Sequence, residues 1–199
     1  MILALCAASP LLIKAAQEPG SSHVLALTVF ITSMILLYAA STIYHTLDIS
    51  PKINRMLRKA DHMMIFILIA GTYTPVCMLV LGDRTGWLLL ALVWGIAAVG
   101  ILINALWITC PKWFSSLIYI AMGWVCVLAF GKIIAALPRQ AFVWLLAGGI
   151  IYTVGGVIYA LKLPIFNQKH RYFGSHEIFH LFVMGGSLCH YIMMYAFVA

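Results

Sequence analysis

Long unbroken apolar runs, separated by short breaks rich in proline, glycine and charge, organise this chain. They fall at about 24–45, 62–81, 87–107, 114–137, 141–161 and 176–198. Each is close to the ~20 residues that a helix needs to cross the hydrocarbon core of a bilayer. Residues 1–16 form a shorter apolar stretch that contains Pro10 and Lys14 and lacks a basic start. It does not resemble a signal peptide and predicts a spanning helix that has lost its beginning. The breaks carry Pro19-Gly20, Pro51, Gly82-Asp83, Pro111, Pro138 and Pro164, residues that end helices and make turns. The apolar positions do not alternate, which excludes a β-barrel. The expected fold is all-α: a polytopic membrane protein with a seven-transmembrane helix bundle, its first helix truncated, in a single domain over residues 1–199.

Composition narrows this further. The chain is 64% hydrophobic and 9% charged, with a mean hydropathy of +1.06, which excludes a soluble globular domain. The net charge of +7 resides mostly in loops, so it speaks to membrane orientation and not to nucleic acid. The connections after segments two, four and six carry Lys52, Arg55, Arg58, Lys59, Lys112, Lys162, Lys169 and Arg171, against Lys14, Arg84, Lys132 and Arg139 on the other side. The richer side is expected to be cytoplasmic, with the N-terminus inside and the C-terminus outside. Cys6, Cys77, Cys110, Cys126 and Cys189 lack paired spacing and are expected to be small core residues.

The polar residues inside these runs are few, and they converge. Segment two ends Ser41-Thr42-Ile43-Tyr44-His45, segment three begins Asp61-His62, and segment seven begins Ser175-His176-Glu177-Ile178-Phe179-His180. Residues four apart share a helical face about one turn apart, so His176 and His180 are able to reach one point. With seven segments, the end of two and the starts of three and seven lie at the same membrane edge. His45, His176 and His180 plus a water make a tetrahedral zinc set with an open position, and zinc lowers the pKa of bound water toward neutrality. Asp61 would hold or deprotonate that water, or serve as a fourth ligand. Ser41, one turn before His45, would hydrogen-bond the water or a substrate carbonyl. His176-Glu177-x-x-His180 also matches the zinc-protease string. No acidic residue follows Glu177, however, and its side chain points about 100° away from His176; an anion in the first turn, favoured by the helix dipole, is the preferred role.

Elsewhere, Ser187 and His190 lie close to the His176 stripe and are expected to line a cavity below the metal, with His190 kept outside the site. His62 is expected to point away from Asp61's face toward the interface, and His23 and His170 to lie in loops. The Gly71-Thr72-Tyr73-Thr74-Pro75 stretch predicts a kink in segment three. Gly148-Gly149 and Gly155-Gly156 predict close helix contacts.

Ser41-x3-His45, Asp61 and His176-x3-His180 together resemble the signature of the hemolysin III family, the bacterial branch of the progestin and adipoQ receptor superfamily. The resemblance extends through Ala70-Gly71-Thr72-Tyr73-Thr74-Pro75 and from Phe173-Gly174 to His190-Tyr191. It implies a seven-helix bundle with a cytoplasmic N-terminus, placed in a bacterial inner membrane. It further implies zinc held at His45, His176 and His180, with Asp61 reaching the metal through water. Eukaryotic relatives are linked to ceramide hydrolysis, and bacterial members carry a hemolysin label and an association with membrane-lipid homeostasis. The family's acidic, Asn and His motif at the start of helix one has no match in Met1-Ile2-Leu3, so the start is expected to be truncated or mis-assigned.

Three functions follow as expectations. The first is a zinc-dependent hydrolase of a membrane-lipid amide or ester, with an acyl chain or sphingolipid-like substrate, Asp61 and Ser41 being catalytic. The second is a receptor or regulator of membrane state whose zinc is structural. The third is a pore-forming cytolysin, disfavoured because so apolar a chain lacks a soluble state. A transporter has little support, since neither an inverted repeat nor a midplane charge pair is evident.

Overall fold

The computed structural model describes residues 1–106, 112–161 and 174–199. Its elements are α1 (Ile2–Ala15), α2 (Ser22–Thr46), α3 (Pro51–Pro75), α4 (Arg84–Leu106), α5 (Lys112–Gly123), α6 (Phe130–Ala136), α7 (Arg139–Ala160) and α8 (Ser175–Phe197). Two non-α turns complete two of these spans. α3 continues as a π-helical turn over Val76–Leu81, and a 3₁₀ segment, Trp124–Ala129, joins α5 to α6. Six helical stretches are long and apolar enough to cross a membrane, and α1 adds a shorter apolar helix. The chain is an integral membrane protein built as a bundle of seven helices, as the apolar runs predict.

Among the described residues the breaks act where the sequence places them; Pro111 and Pro164 lie outside the described residues. Ser50 adopts extended backbone, and its hydroxyl accepts the Ile53 N–H at 3.3 Å while Pro51 opens α3. A serine cap followed by proline is a strong helix start. It begins α3 eleven residues before the expected 62, so the basic stretch 52–59 is helix and not loop. The reason is that a helix is not confined to the hydrocarbon core: a capped polar turn extends it into the headgroup region. At the far end Gly82 takes a left-handed conformation (φ 59°), and its N–H meets the Cys77 carbonyl at 3.1 Å, a cap that glycine adopts without steric cost.

Segment five is not the single helix expected over 114–137. It breaks at Gly123, and the Tyr73 hydroxyl of α3 sits in the break. That hydroxyl donates to the Gly123 carbonyl at 2.7 Å and accepts the Cys126 N–H at 2.8 Å. Interrupted helices survive in a membrane only where another group satisfies the freed backbone, and here one tyrosine satisfies a donor and an acceptor. The disturbance expected at Gly71–Pro75 falls after Pro75 instead, as the π-helical turn, because proline leaves a carbonyl of the preceding turn without its donor.

Neighbouring helices contact in chain order around a ring, which α1 closes against α8. α3 is the most buried span. Gly71 touches α2 so closely that a Cβ there would overlap the Ser33 side chain, and Gly155 meets Phe182 of α8 in the same way. Gly148 packs on His190 and Gly156 on Ile120, whereas Gly149 faces open space. Outward residues such as Leu88, Leu102 and Leu128 are exposed, as a lipid-facing surface requires. Cys77 and Cys189 are buried, but Cys6 is exposed, contrary to the core placement expected; it lies on the outer face of the short α1. Cys110, His170 and the expected loop charges Lys162, Lys169 and Arg171 lie outside the described residues.

Candidate metal centre

α2 ends, and α8 begins, at the same end of the bundle, and this brings three imidazoles together. His176 Nε2 lies 3.4 Å from His45 Nε2 and 3.2 Å from His180 Nε2. The ring centroids are 5.0 Å apart for His45 and His176, 5.1 Å for His45 and His180, and 4.6 Å for His176 and His180. One ligand atom from each residue lies within 4.8 Å of the others. Zinc–nitrogen bonds of ~2.05 Å at tetrahedral angles place nitrogens about 3.3 Å apart. The two closest approaches bracket that value. His176 Nε2 faces two other Nε2 atoms, and one ring nitrogen, carrying either a proton or a lone pair, does not satisfy both as a hydrogen-bonding partner, so the donor set suits a borderline metal with one open position. His45 is exposed, while His176 and His180 are half-buried, so the centre is set at the mouth of the bundle.

Behind the trio, a cavity of about 270 Å³ runs into the bundle between α2, α3, α5, α7 and α8. Ser41, Asp61, His176 and His180 line its mouth, and Phe130, Ile133 and Phe142 its far end. Its walls are mainly apolar, and its volume suits a narrow, extended ligand and not a bulky one. Asp61 stands outside the tight trio but lies within electrostatic range of His180 and Tyr159. Ser41 is half-buried on the cavity wall, one turn before His45.

Glu177 is not aimed at the centre. Its Oε2 accepts the Gly174 N–H at 2.8 Å, so it caps the first turn of α8, the role its sequence position suggests. His62 departs from expectation. It lines the cavity and is half-buried, because α3 turns that face toward α7 instead of toward the interface. Its Nδ1 lies 2.6 Å from the Arg58 carbonyl, which accepts and so places the proton on Nδ1. Nε2 then accepts the Tyr159 O–H at 3.2 Å. Tyr159 stacks on Phe179 at 4.7 Å and lies 6.3 Å from the His176 ring. Through Tyr159 this pair buttresses α8 beside His176 and His180. Tyr159 carries no motif, and its part emerges only when α7 and α8 pack together.

A second polar group lies deeper. Ser187 Oγ lies 2.8 Å from the Tyr38 hydroxyl, which donates to it, and 2.8 Å from that of Tyr152. His190 stacks on Tyr152 with centroids 5.5 Å apart. Tyr38, Tyr152 and His190 line the same cavity, as helical arithmetic predicts for His190.

Residues 1–191 match the family model described as Haemolysin-III related. The chain is 39% identical over 187 residues to Hemolysin-3 of Bacillus cereus, an alignment covering 94% of this chain and 81% of that protein. It is 36% identical over 177 residues to the Hemolysin-3 homolog of Bacillus subtilis, covering 89% and 79% respectively. A shorter stretch, 79 residues at 38% identity, matches the ADIPOR-like receptor IZH2 of Saccharomyces cerevisiae, covering 38% of this chain and 24% of that protein.

Proposed function

The chain belongs to the haemolysin-III-related family, and from that premise we propose that it is a zinc-dependent hydrolase of a membrane-lipid amide or ester. The observation that carries the reading is the histidine trio at the mouth of an acyl-sized cavity with Asp61 and Ser41 on its wall. His45, His176 and His180 would hold the metal, which when bound polarises a carbonyl and makes water acidic enough to react near neutral pH.

The chain's own residues do the rest. The cavity takes the acyl chain and brings the carbonyl to the trio, so that the reacting groups meet without further loss of entropy. Asp61 accepts a proton from the attacking water as the oxygen–carbon bond forms. It returns that proton to the leaving nitrogen or oxygen as the scissile bond breaks. The Ser41 hydroxyl donates to the carbonyl oxygen as negative charge develops there. The His62–Tyr159 bond ties α3 to α7, and the Tyr159 ring, stacked on Phe179, holds α7 against α8 beside His176. By the distribution of basic residues, the trio faces the cytoplasm of the bacterial inner membrane and the N-terminus lies inside.

Metal analysis of detergent-purified protein, followed by hydrolysis of ceramide and acyl-ester lipids in proteoliposomes, tests this. About one zinc per chain is expected, lost in the His176→Ala/His180→Ala double variant. Asp61→Asn is expected to keep the zinc and lose hydrolysis. Zinc that Asp61→Asn leaves bound, with no hydrolysis by the wild type on any lipid supplied, would point to a structural metal and remove the enzymatic reading.

A further inference from the structure

The deep polar group has more hydrogen-bonding capacity than the described residues use. Tyr38, Ser187 and Tyr152 bring three O–H donors to two contacts. If Tyr152 donates to Ser187, the serine proton is left over; if Ser187 donates to Tyr152, the tyrosine proton is left over. Beside them His190 is only 7% exposed, and its Nδ1 has no hydrogen-bond partner among the described residues. The imidazole is held between α7 and α8: its Nε2 edge lies against Gly148, where a Cβ would come within 2.6 Å, and its face stacks on Tyr152. In a polar ring packed this tightly within a membrane span, a nitrogen left without a partner is costly.

The position of this group gives it a use. His190 is ten residues beyond His180 on α8, about 15 Å deeper at 1.5 Å per residue, and Ser187 about 10 Å deeper. Both are far from the trio; His190 lines the same cavity, as do Tyr38 and Tyr152, the two tyrosines to which Ser187 is hydrogen-bonded. We propose that His190 and the Tyr38–Ser187–Tyr152 hydroxyls form a second recognition point, which binds a hydroxyl in the middle of a bound acyl chain. A hydroxyl is both donor and acceptor, so it satisfies the spare O–H and the imidazole together, which a methylene does not. The inference rests on the lipid reading of the cavity and narrows it: the preferred substrate is an acyl lipid whose chain is hydroxylated about 10–15 Å from the scissile carbonyl.

Equilibrium binding of free acids to the reconstituted protein tests this without requiring turnover. Mid-chain hydroxystearic acid is expected to bind about tenfold tighter than stearic acid, and the α-hydroxy isomer no tighter than stearic acid. Tyr152→Phe, which keeps the stacked ring, and Ser187→Ala are each expected to reduce that preference to about one while leaving stearic acid affinity unchanged. Equal affinity of the wild type for the mid-chain hydroxy acid and stearic acid, as when a water already saturates the group, overturns the inference and leaves the hydrolase reading intact. A preference that survives in both variants also overturns it. Failure of every acid to bind removes the lipid reading and this inference with it.

Discussion

Ser41 and Tyr159 show how differently single hydroxyls contribute around the trio. Ser41 lies on the cavity wall one turn before His45, and the proposed mechanism gives it a part in the reaction and not in the fold. Ser41→Ala is expected to lower turnover by about 10²-fold, the scale of a lost oxyanion donor, with zinc content and melting temperature unchanged. Steady-state kinetics beside metal analysis check this; unchanged turnover removes Ser41 from catalysis. Tyr159 donates to His62 Nε2, and Tyr159→Phe leaves that half-buried nitrogen without its donor. The expected cost is about 1 kcal/mol of stability, read by thermal unfolding in detergent, with zinc retained. Ser41, His45, Asp61, His176 and His180 were legible in the sequence because chemistry-bearing side chains are rare in apolar runs. Tyr159, Tyr38 and Tyr152 were not. Tyrosine is common in membrane helices, and only packing tells which hydroxyls meet.

At the scale of elements, close helix approach and end caps do most of the positioning. α2 and α3 meet at Gly71, and a Cβ there overlaps Ser33. Gly71→Ala is therefore expected to destabilise the protein by about 1–3 kcal/mol, and Ser33→Gly in the same chain to restore part of that loss. A Gly71→Ala protein that melts with the wild type would place the α2–α3 contact elsewhere. At the opposite end of the bundle, Asp83 Oδ1 accepts the Gly86 N–H at 2.9 Å and so caps α4, while Oδ2 meets Lys132 Nζ of α6 at 2.5 Å. The Lys132 ammonium, with the Gly86 N–H, holds the Asp83 carboxyl below its ordinary value of 3.8. A lowered folded-state pKa contributes stability above the unfolded-state value and loses it as pH falls through the folded one. Asp83→Asn is expected to lower the melting temperature slightly at neutral pH, since the pair is exposed. That difference should close as the pH falls through the lowered folded-state value. A difference that persists unchanged in acid would assign the effect to the α4 cap alone.

For the whole molecule, orientation and metal are the properties that a bundle sets collectively. Lys52→Cys, at the trio end, is expected to react with an impermeant maleimide only from the cytoplasmic side of oriented membranes, and Lys132→Cys only from outside. Labelling with the opposite sidedness would invert the proposed topology. Because the trio draws ligands from both α2 and α8, removing a bound metal by chelation should also loosen the bundle. At zinc one hundred times above its dissociation constant the expected stabilisation is about 2.7 kcal/mol, seen as a fall in melting temperature on chelation. The same fall is not expected in His176→Ala/His180→Ala.

The sequence by itself determined the membrane class, the helix count and the end of the bundle at which the three histidines gather. Each of these follows from hydrophobic run length and from the parity of crossings, which no packing detail alters. It also marked Glu177 as a capping anion, from its place in a first turn. Only the tertiary structure decided that α3 begins as early as Pro51, that Tyr73 holds open a break between α5 and α6, and that His62 faces the cavity. It alone joined Tyr38, Ser187, Tyr152 and His190 into one deep polar group. Those outcomes depend on helix rotation and on neighbours distant in the chain, and in a lipid-like interior periodicity says little about either, since nearly every face of each helix is apolar.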